Sequence, residues 1–109
     1  KQLFVFVLRN LIDNAFKYNH EDSQIFVRLF QEKGNVWSLS VTNQIASNAM
    51  PDEEQLYSKY YRAPAARRKT GAGLGLYISR IVCDMLGLKL DHSIDGQLIS
   101  FSIRYPSAL

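Results

Sequence analysis

Cysteine occurs once in the 109 residues, at Cys83, which excludes an internal disulfide and any cysteine-rich metal site. Set between Val82 and Met85 in a helical pattern, it reads as a buried core thiol suited to a reducing compartment. Long apolar runs are missing too. The longest, Leu3 to Leu8, is far too short to cross a bilayer. The start carries none of the charged, apolar and small-residue sections of a signal peptide, and the sequence reads as a piece of a longer protein. Internal repeats and low-complexity tracts are absent. What remains, at 47% hydrophobic and 21% charged, is the composition of one ordinary globular domain.

Acidic residues are absent from Lys59 to Thr70, which holds Lys59, Arg62, Arg67, Arg68 and Lys69. The net charge of +3 is therefore local, because the rest of the chain has eight basic and ten acidic residues. A basic cluster confined to one loop-like segment fits a local anion better than a long polyanion, so no nucleic-acid partner is expected.

The chain is organised around Leu8 to Asn19. At 100° per residue Asn10, Asn14, Lys17 and Tyr18 share one side of a helix over residues 1–18. Phe4, Leu8, Leu11, Ile12 and Ala15 fall on the adjoining sector, and Gln2, Arg9 and Asp13 on a third. Asparagine is a mediocre helix former because its side chain competes for nearby backbone groups, so two of them on one helical face carry a local cost. That cost suggests a task on that face.

Turn formers at Asn19 to Ser23 end the helix. Gln24 to Gln31 and Val36 to Thr42 read as strands joined by Glu32-Lys33-Gly34-Asn35, with Trp37, Leu39 and Val41 turned toward the helices. Regular pattern fades from Asn43 to Thr70, a connection long enough to be functional. It contains one short helix after Pro51, opened by Asp52, Glu53 and Glu54, with Leu56, Tyr57 and Tyr60 as its apolar side. Gly71-Ala72-Gly73-Leu74-Gly75-Leu76 then opens a second helix that runs to a C-cap at Gly87. Leu88 to Ile94 and Gln97 to Tyr105 form a closing hairpin around Asp95-Gly96, a dipeptide favoured by type I′ turns. The order predicts an α+β sandwich, with helices on one face of a mixed, largely antiparallel sheet.

A glycine-rich loop entering a helix can bring backbone N–H groups up to a phosphate. Here it follows neither the P-loop spacing nor the dinucleotide fingerprint, and glycines that only allow tight packing of loop on helix explain it about as well. The three motifs together are more specific. Asn10 to Tyr18 resembles the N box of sensor histidine kinases, Tyr57-Ser58-Lys59-Tyr60-Tyr61-Arg62 is similar to their F box, and Gly71 to Leu76 matches their G2 box.

That resemblance implies the Bergerat ATP-binding fold, with residues 1–109 as one catalytic domain lacking the family's usual first strand and an ATP lid over about residues 44–73. It implies Mg²⁺ on Asn14, Lys17 and Arg62 offsetting phosphate charge, and Tyr18 either stacked on the base or bonded to a phosphate. Gly71, Gly73, Leu74 and Gly75 would form the closing lid. Read as residues alone, Tyr57 and Tyr60 anchor that segment in the core, and Arg67, Arg68 and Lys69 form a solvated surface. Asn10 stands where ATP-hydrolysing relatives carry a water-activating Glu. An amide cannot take a proton, which favours phosphoryl transfer over hydrolysis.

The implied acceptor is a histidine on a separate dimerisation domain, since His20 and His92 read as ordinary turn and sheet residues. The implied setting is a homodimeric, cytoplasmic or membrane-linked cytoplasmic kinase acting on a response regulator. One motif departs from the family. Val41-Thr42-Asn43-Gln44-Ile45-Ala46-Ser47 stands where a G1 box, D-x-G-x-G, reads adenine. Asn43 keeps an acceptor but loses the charge, roughly halving the bond's strength. Adenine is then either read more weakly with relaxed base preference, or the domain is a degenerate module that signals by contact.

Overall fold

The computed structural model describes residues 2–59, 61 and 74–106. Helix α1 covers Gln2–Tyr18 and α2 covers Gly75–Leu86, and the strands are β1 Phe26–Glu32, β2 Val36–Gln44, β3 Lys89–Asp95 and β4 Leu98–Pro106. The strands form one sheet in the order β1-β2-β4-β3, and all three pairings are antiparallel.

Register decides which face is apolar. Val41 pairs with Phe101, Leu39 with Ile103, and Ile103 in turn with Leu90, so these side chains share one face under the helices. Val41, Leu90, Ile99, Phe101 and Ile103 are buried there against Val7, Leu11 and Ala15 of α1 and Val82 and Cys83 of α2. Helix α1 packs on α2 and β2, and α2 on β3. The inward-facing Val27 and Leu29 of edge strand β1 therefore stay exposed. On the opposite face Ser38 and Ser40 are nevertheless buried. Their sheet partners are Phe30 and Arg104 for Ser38 and Arg28 for Ser40, and these long side chains close over the small hydroxyls. Arg28 lies 4.8 Å from the Phe30 ring centre, and Arg104 bonds Glu32 through two nitrogens at 3.1 and 3.2 Å.

The turns refine the sequence reading. Lys33-Gly34-Asn35 closes the first hairpin with left-handed φ at Gly34 and Asn35, residue types that tolerate it. In the second hairpin Asp95 pairs with Leu98, so the two loop residues are Gly96 and Gln97 rather than Asp95 and Gly96. Positive φ at Gly96 alone is the type II′ pattern, not the expected type I′. The helix expected after Pro51 is a single 3₁₀ turn, Glu53–Gln55, capped by Asp52 accepting from the Glu54 N–H at 3.1 Å. Leu56, the residue that follows the turn, is buried in the core. Cys83 is fully buried as expected, and burial first, then Asp84, pushes its thiol up.

Candidate functional site

The polar stripe of α1 splits into two parts. Asn10 is spent on packing: its Nδ2 donates to Oγ of Ser79 at 3.2 Å, and Ser79 is wholly buried in α2. Asn14, one turn later and half-buried, makes no hydrogen bond among the described residues. No buried side-chain nitrogen or oxygen among the described residues lacks a partner, so the Asn14 carboxamide is open to solvent and available to a ligand. Lys17 and Tyr18 follow, lining a shallow pocket of about 170 Å³ with Asn19, His20, Glu21, Ala46 and Ala49.

The floor of that pocket is held by a knot of amides at the end of α1. Asn19 donates to the Ser23 carbonyl and accepts from the Gln44 N–H at 3.1 Å. The His20 N–H donates to the Gln44 carbonyl at 2.6 Å, and Gln44 Nε2 donates to Gln97 at 2.9 Å. The chain leaving β2 is thereby fixed against α1 and the second hairpin. Asn43, immediately before Gln44, is only 4% exposed and pairs with Ile99 on the helix-facing side of the sheet. Its Nδ2 makes one long bond, 3.4 Å to the Gln44 carbonyl, and its Oδ1 accepts none among the described residues.

A second cluster pins the start of the long connection. Tyr57 bonds Nδ1 of His92 at 3.0 Å, and Nε2 of His92 meets Glu53 at 2.9 Å. A carboxylate only accepts, so Nε2 carries the proton and, in the neutral ring, Nδ1 accepts from the Tyr57 hydroxyl. Arg80 of α2 lies 4.2 Å above the Tyr57 ring, whose edge meets Phe101 at 6.4 Å. Burial pushes the Tyr57 hydroxyl from 10.0 up to about 12, with Arg80 pulling it down and Asp91 and Cys83 pushing it up. Tyr57 thus anchors this segment, as its apolar ring in the sequence suggested. His92 proves to be part of the anchor rather than an idle sheet residue. Ser79, Glu53 and His92 carried no signal in the sequence, because their partners lie 69, 39 and 35 residues away.

Leu74 is the half-buried N-cap of α2 and Gly75 its first residue. A Cβ added to Gly75 would meet nothing within 4 Å, so tight packing of loop on helix does not demand glycine there. Arg62, Gly71 and Gly73, like Tyr60, Arg67, Arg68 and Lys69, lie outside the described residues. Among the described residues no group of three His, Cys, Asp or Glu side chains could hold a metal ion. Among the described residues no helix is long and apolar enough to cross a membrane.

Comparison with known proteins agrees with this arrangement. A sensor histidine kinase ArsS of Helicobacter pylori is 31% identical over 102 residues, and a probable sensor protein PcoS of Escherichia coli is 31% identical over 97. These alignments take in 94% and 87% of the chain but only 22% and 21% of the relatives, so the chain spans about a fifth of their length. Among solved structures, the mycobacterial sensor histidine kinase MprB superposes with a TM-score of 0.74 at 27% identity, covering 93% of the chain and 70% of that structure. The catalytic domain of histidine kinase ThkA gives 0.71 at 26%, covering 96% and 66%. Residues 1–108 match the family described as histidine kinase-, DNA gyrase B- and HSP90-like ATPase. Two helices on an antiparallel sheet are thus a fold shared with histidine kinase catalytic domains, and the chain belongs to this family.

Proposed function

We propose that this chain is the ATP-binding catalytic part of a sensor histidine kinase, which binds Mg-ATP and presents the γ-phosphate to a histidine on a separate dimerisation domain. The observation that carries the proposal is the division of labour on α1: Asn10 is bonded to Ser79, while Asn14 keeps a free carboxamide one turn from Lys17 and Tyr18 at the pocket. A neutral amide oxygen suits a hard cation already surrounded by phosphate oxygens. When bound, Mg²⁺ supplies neutralisation of charge on the β- and γ-phosphates. Asn14 would hold it, Lys17 would pair with a phosphate oxygen, and Tyr18 would close the pocket beside it. Arg62 would stabilise charge at the terminal phosphate, and the backbone of Gly71, Gly73, Leu74 and Gly75 would approach the triphosphate. Asn43 would face the base.

Asn10 also bears on the reaction type. With its Nδ2 committed to Ser79 and no basic group in the amide, it cannot activate water, so the phosphoryl group goes to an external nucleophile. The parent protein in this reading is a homodimer with its kinase part in the cytoplasm, passing phosphate to a response regulator.

Calorimetric titration with Mg-ATP tests the proposal. Affinity in the micromolar to low-millimolar range that falls at least about tenfold in Asn14→Ala supports it. Absence of binding at any practical concentration refutes it and leaves the reading that Asn43 favours, a degenerate member of the family acting through contact.

A further inference from the structure

His20 stands in the turn that follows α1 and lines the same pocket as Lys17 and Tyr18. Its backbone is fixed on both sides: the N–H donates to the Gln44 carbonyl at 2.6 Å, and the carbonyl accepts from the Ser23 N–H at 3.0 Å. Asn19 before it is tied to Ser23 and Gln44 as well. The residue is exposed and its ring makes no hydrogen bond among the described residues. The end of β2 thus holds His20 at the pocket wall and leaves the imidazole uncommitted. His92, the other histidine of the chain, has both ring nitrogens engaged, by Tyr57 and Glu53.

The pocket, at about 170 Å³, is smaller than the roughly 300–1,000 Å³ that takes a whole small molecule, so it suits one phosphoryl group pressed against the side chains around it. It lies at the carbonyl end of α1, where the helix dipole opposes an anion, and cationic side chains must offset that. Lys17 is one cation there and Glu21 the one carboxylate, while Asp22, next in the turn, does not line it. Tyr18 lines it as a phenol, and the loop after β2 brings only Ala46 and Ala49. With the imidazole neutral, the charges of Lys17 and Glu21 offset each other. With it protonated, the wall is net positive and presents a second charged donor to the phosphate.

We propose that His20 is a phosphate-binding residue whose protonation is coupled to nucleotide binding, so that the site holds Mg-nucleotide more tightly as pH falls from 8 to 6. Imidazole is the side chain that ordinarily changes charge in this range, since ordinary carboxylates, amines and phenols titrate outside it. A neighbouring polyanion favours its charged form. Binding then takes up a proton from solvent, onto the free ring nitrogen, and linkage makes affinity rise as pH falls. This inference rests on the nucleotide reading above.

Mg-ATP is titrated calorimetrically into the intact chain and into His20→Gln at pH 6 and pH 8. Wild-type affinity should be about three- to tenfold higher at pH 6, and that ratio should fall at least about threefold in His20→Gln. Protonation of the triphosphate itself acts on both proteins alike, so the difference between their ratios belongs to His20. Proton NMR of wild type gives a second reading that holds even if the variant fails to fold. With Mg-ATP bound, the His20 ring signals should titrate at higher pH than in the free protein, and those of His92 should not move. Equal or reversed pH ratios in the two proteins, or a His20 midpoint that does not rise with nucleotide bound, overturns the assignment while leaving nucleotide binding intact. Failure of Mg-ATP to bind wild type at either pH overturns the nucleotide reading and this inference with it.

Discussion

Replacing Tyr57 by Phe removes one hydroxyl and little else. The ring's edge contact with Phe101 and its stack under Arg80 survive, so the change reports on the bond to His92 at 3.0 Å. A net hydrogen bond of this type contributes about 1 kcal/mol, and wild type should exceed Tyr57→Phe by that amount at pH 9. The gap should then close as pH rises. The folded hydroxyl ionises near 12 and the unfolded one near 10.0, so between these values the native state holds the proton that the unfolded state has lost. Stability gained from the shift is fully present below pH 10 and is lost as pH climbs toward 12. Two units correspond to about 2.7 kcal/mol as a ceiling, and partial exposure of the side chain lowers this to roughly 1–2 kcal/mol. The two proteins should therefore become equally stable near pH 11, with Tyr57→Phe the more stable above it. Urea denaturation followed by Trp37 fluorescence, from pH 8 to 12, measures the crossing. Parallel curves across that range would refute both the bond and the burial argument.

Two further substitutions test the frame of the site. Asn10→Ala should cost about 1 kcal/mol in urea denaturation rather than the full penalty of an orphaned hydroxyl, because Ser79 can turn to the carbonyl four residues back in its helix. A change below about 0.3 kcal/mol would show that Asn10 does not tie α1 to α2. Gly87→Ala should cost about 1–2 kcal/mol, a drop of several degrees in melting temperature. An added Cβ meets nothing there, so the whole cost is that of the left-handed φ of +73°.

Much of the architecture was legible because it rests on local periodicity. The 3.6-residue repeat marked both helices, alternation in Trp37, Leu39 and Val41 marked the inward face of β2, and the glycine at 87 marked where α2 ends. Turn chemistry was less well defined. The Asp95-Gly96 pair suggested a type I′ turn centred on those residues, but the ladder between β3 and β4 put Asp95 into a pair and moved the loop on by one residue. The burial of Ser38 and Ser40 also escaped alternation, because what covers them is contributed by Arg28, Phe30 and Arg104 on neighbouring strands.

The candidate site shows the same division. Residue types in α1 alone named Asn10, Asn14, Lys17 and Tyr18, since helical geometry puts i, i+4, i+7 and i+8 on one side whatever surrounds them. Composition alone also excluded a disulfide, and spacing alone placed the glycine motif at the mouth of a helix. Only the packing of α1 on α2 and β2 could separate Asn10, bonded to a buried serine 69 residues on, from Asn14, left with its amide uncommitted. Only the fold could assemble Glu53, Tyr57 and His92, whose contacts depend on a strand and a loop that are remote in the chain. Local order follows from bonds between near neighbours and is written in short stretches of sequence. A side chain's partner across the core is set by how whole elements pack, and that exists only once the chain has folded.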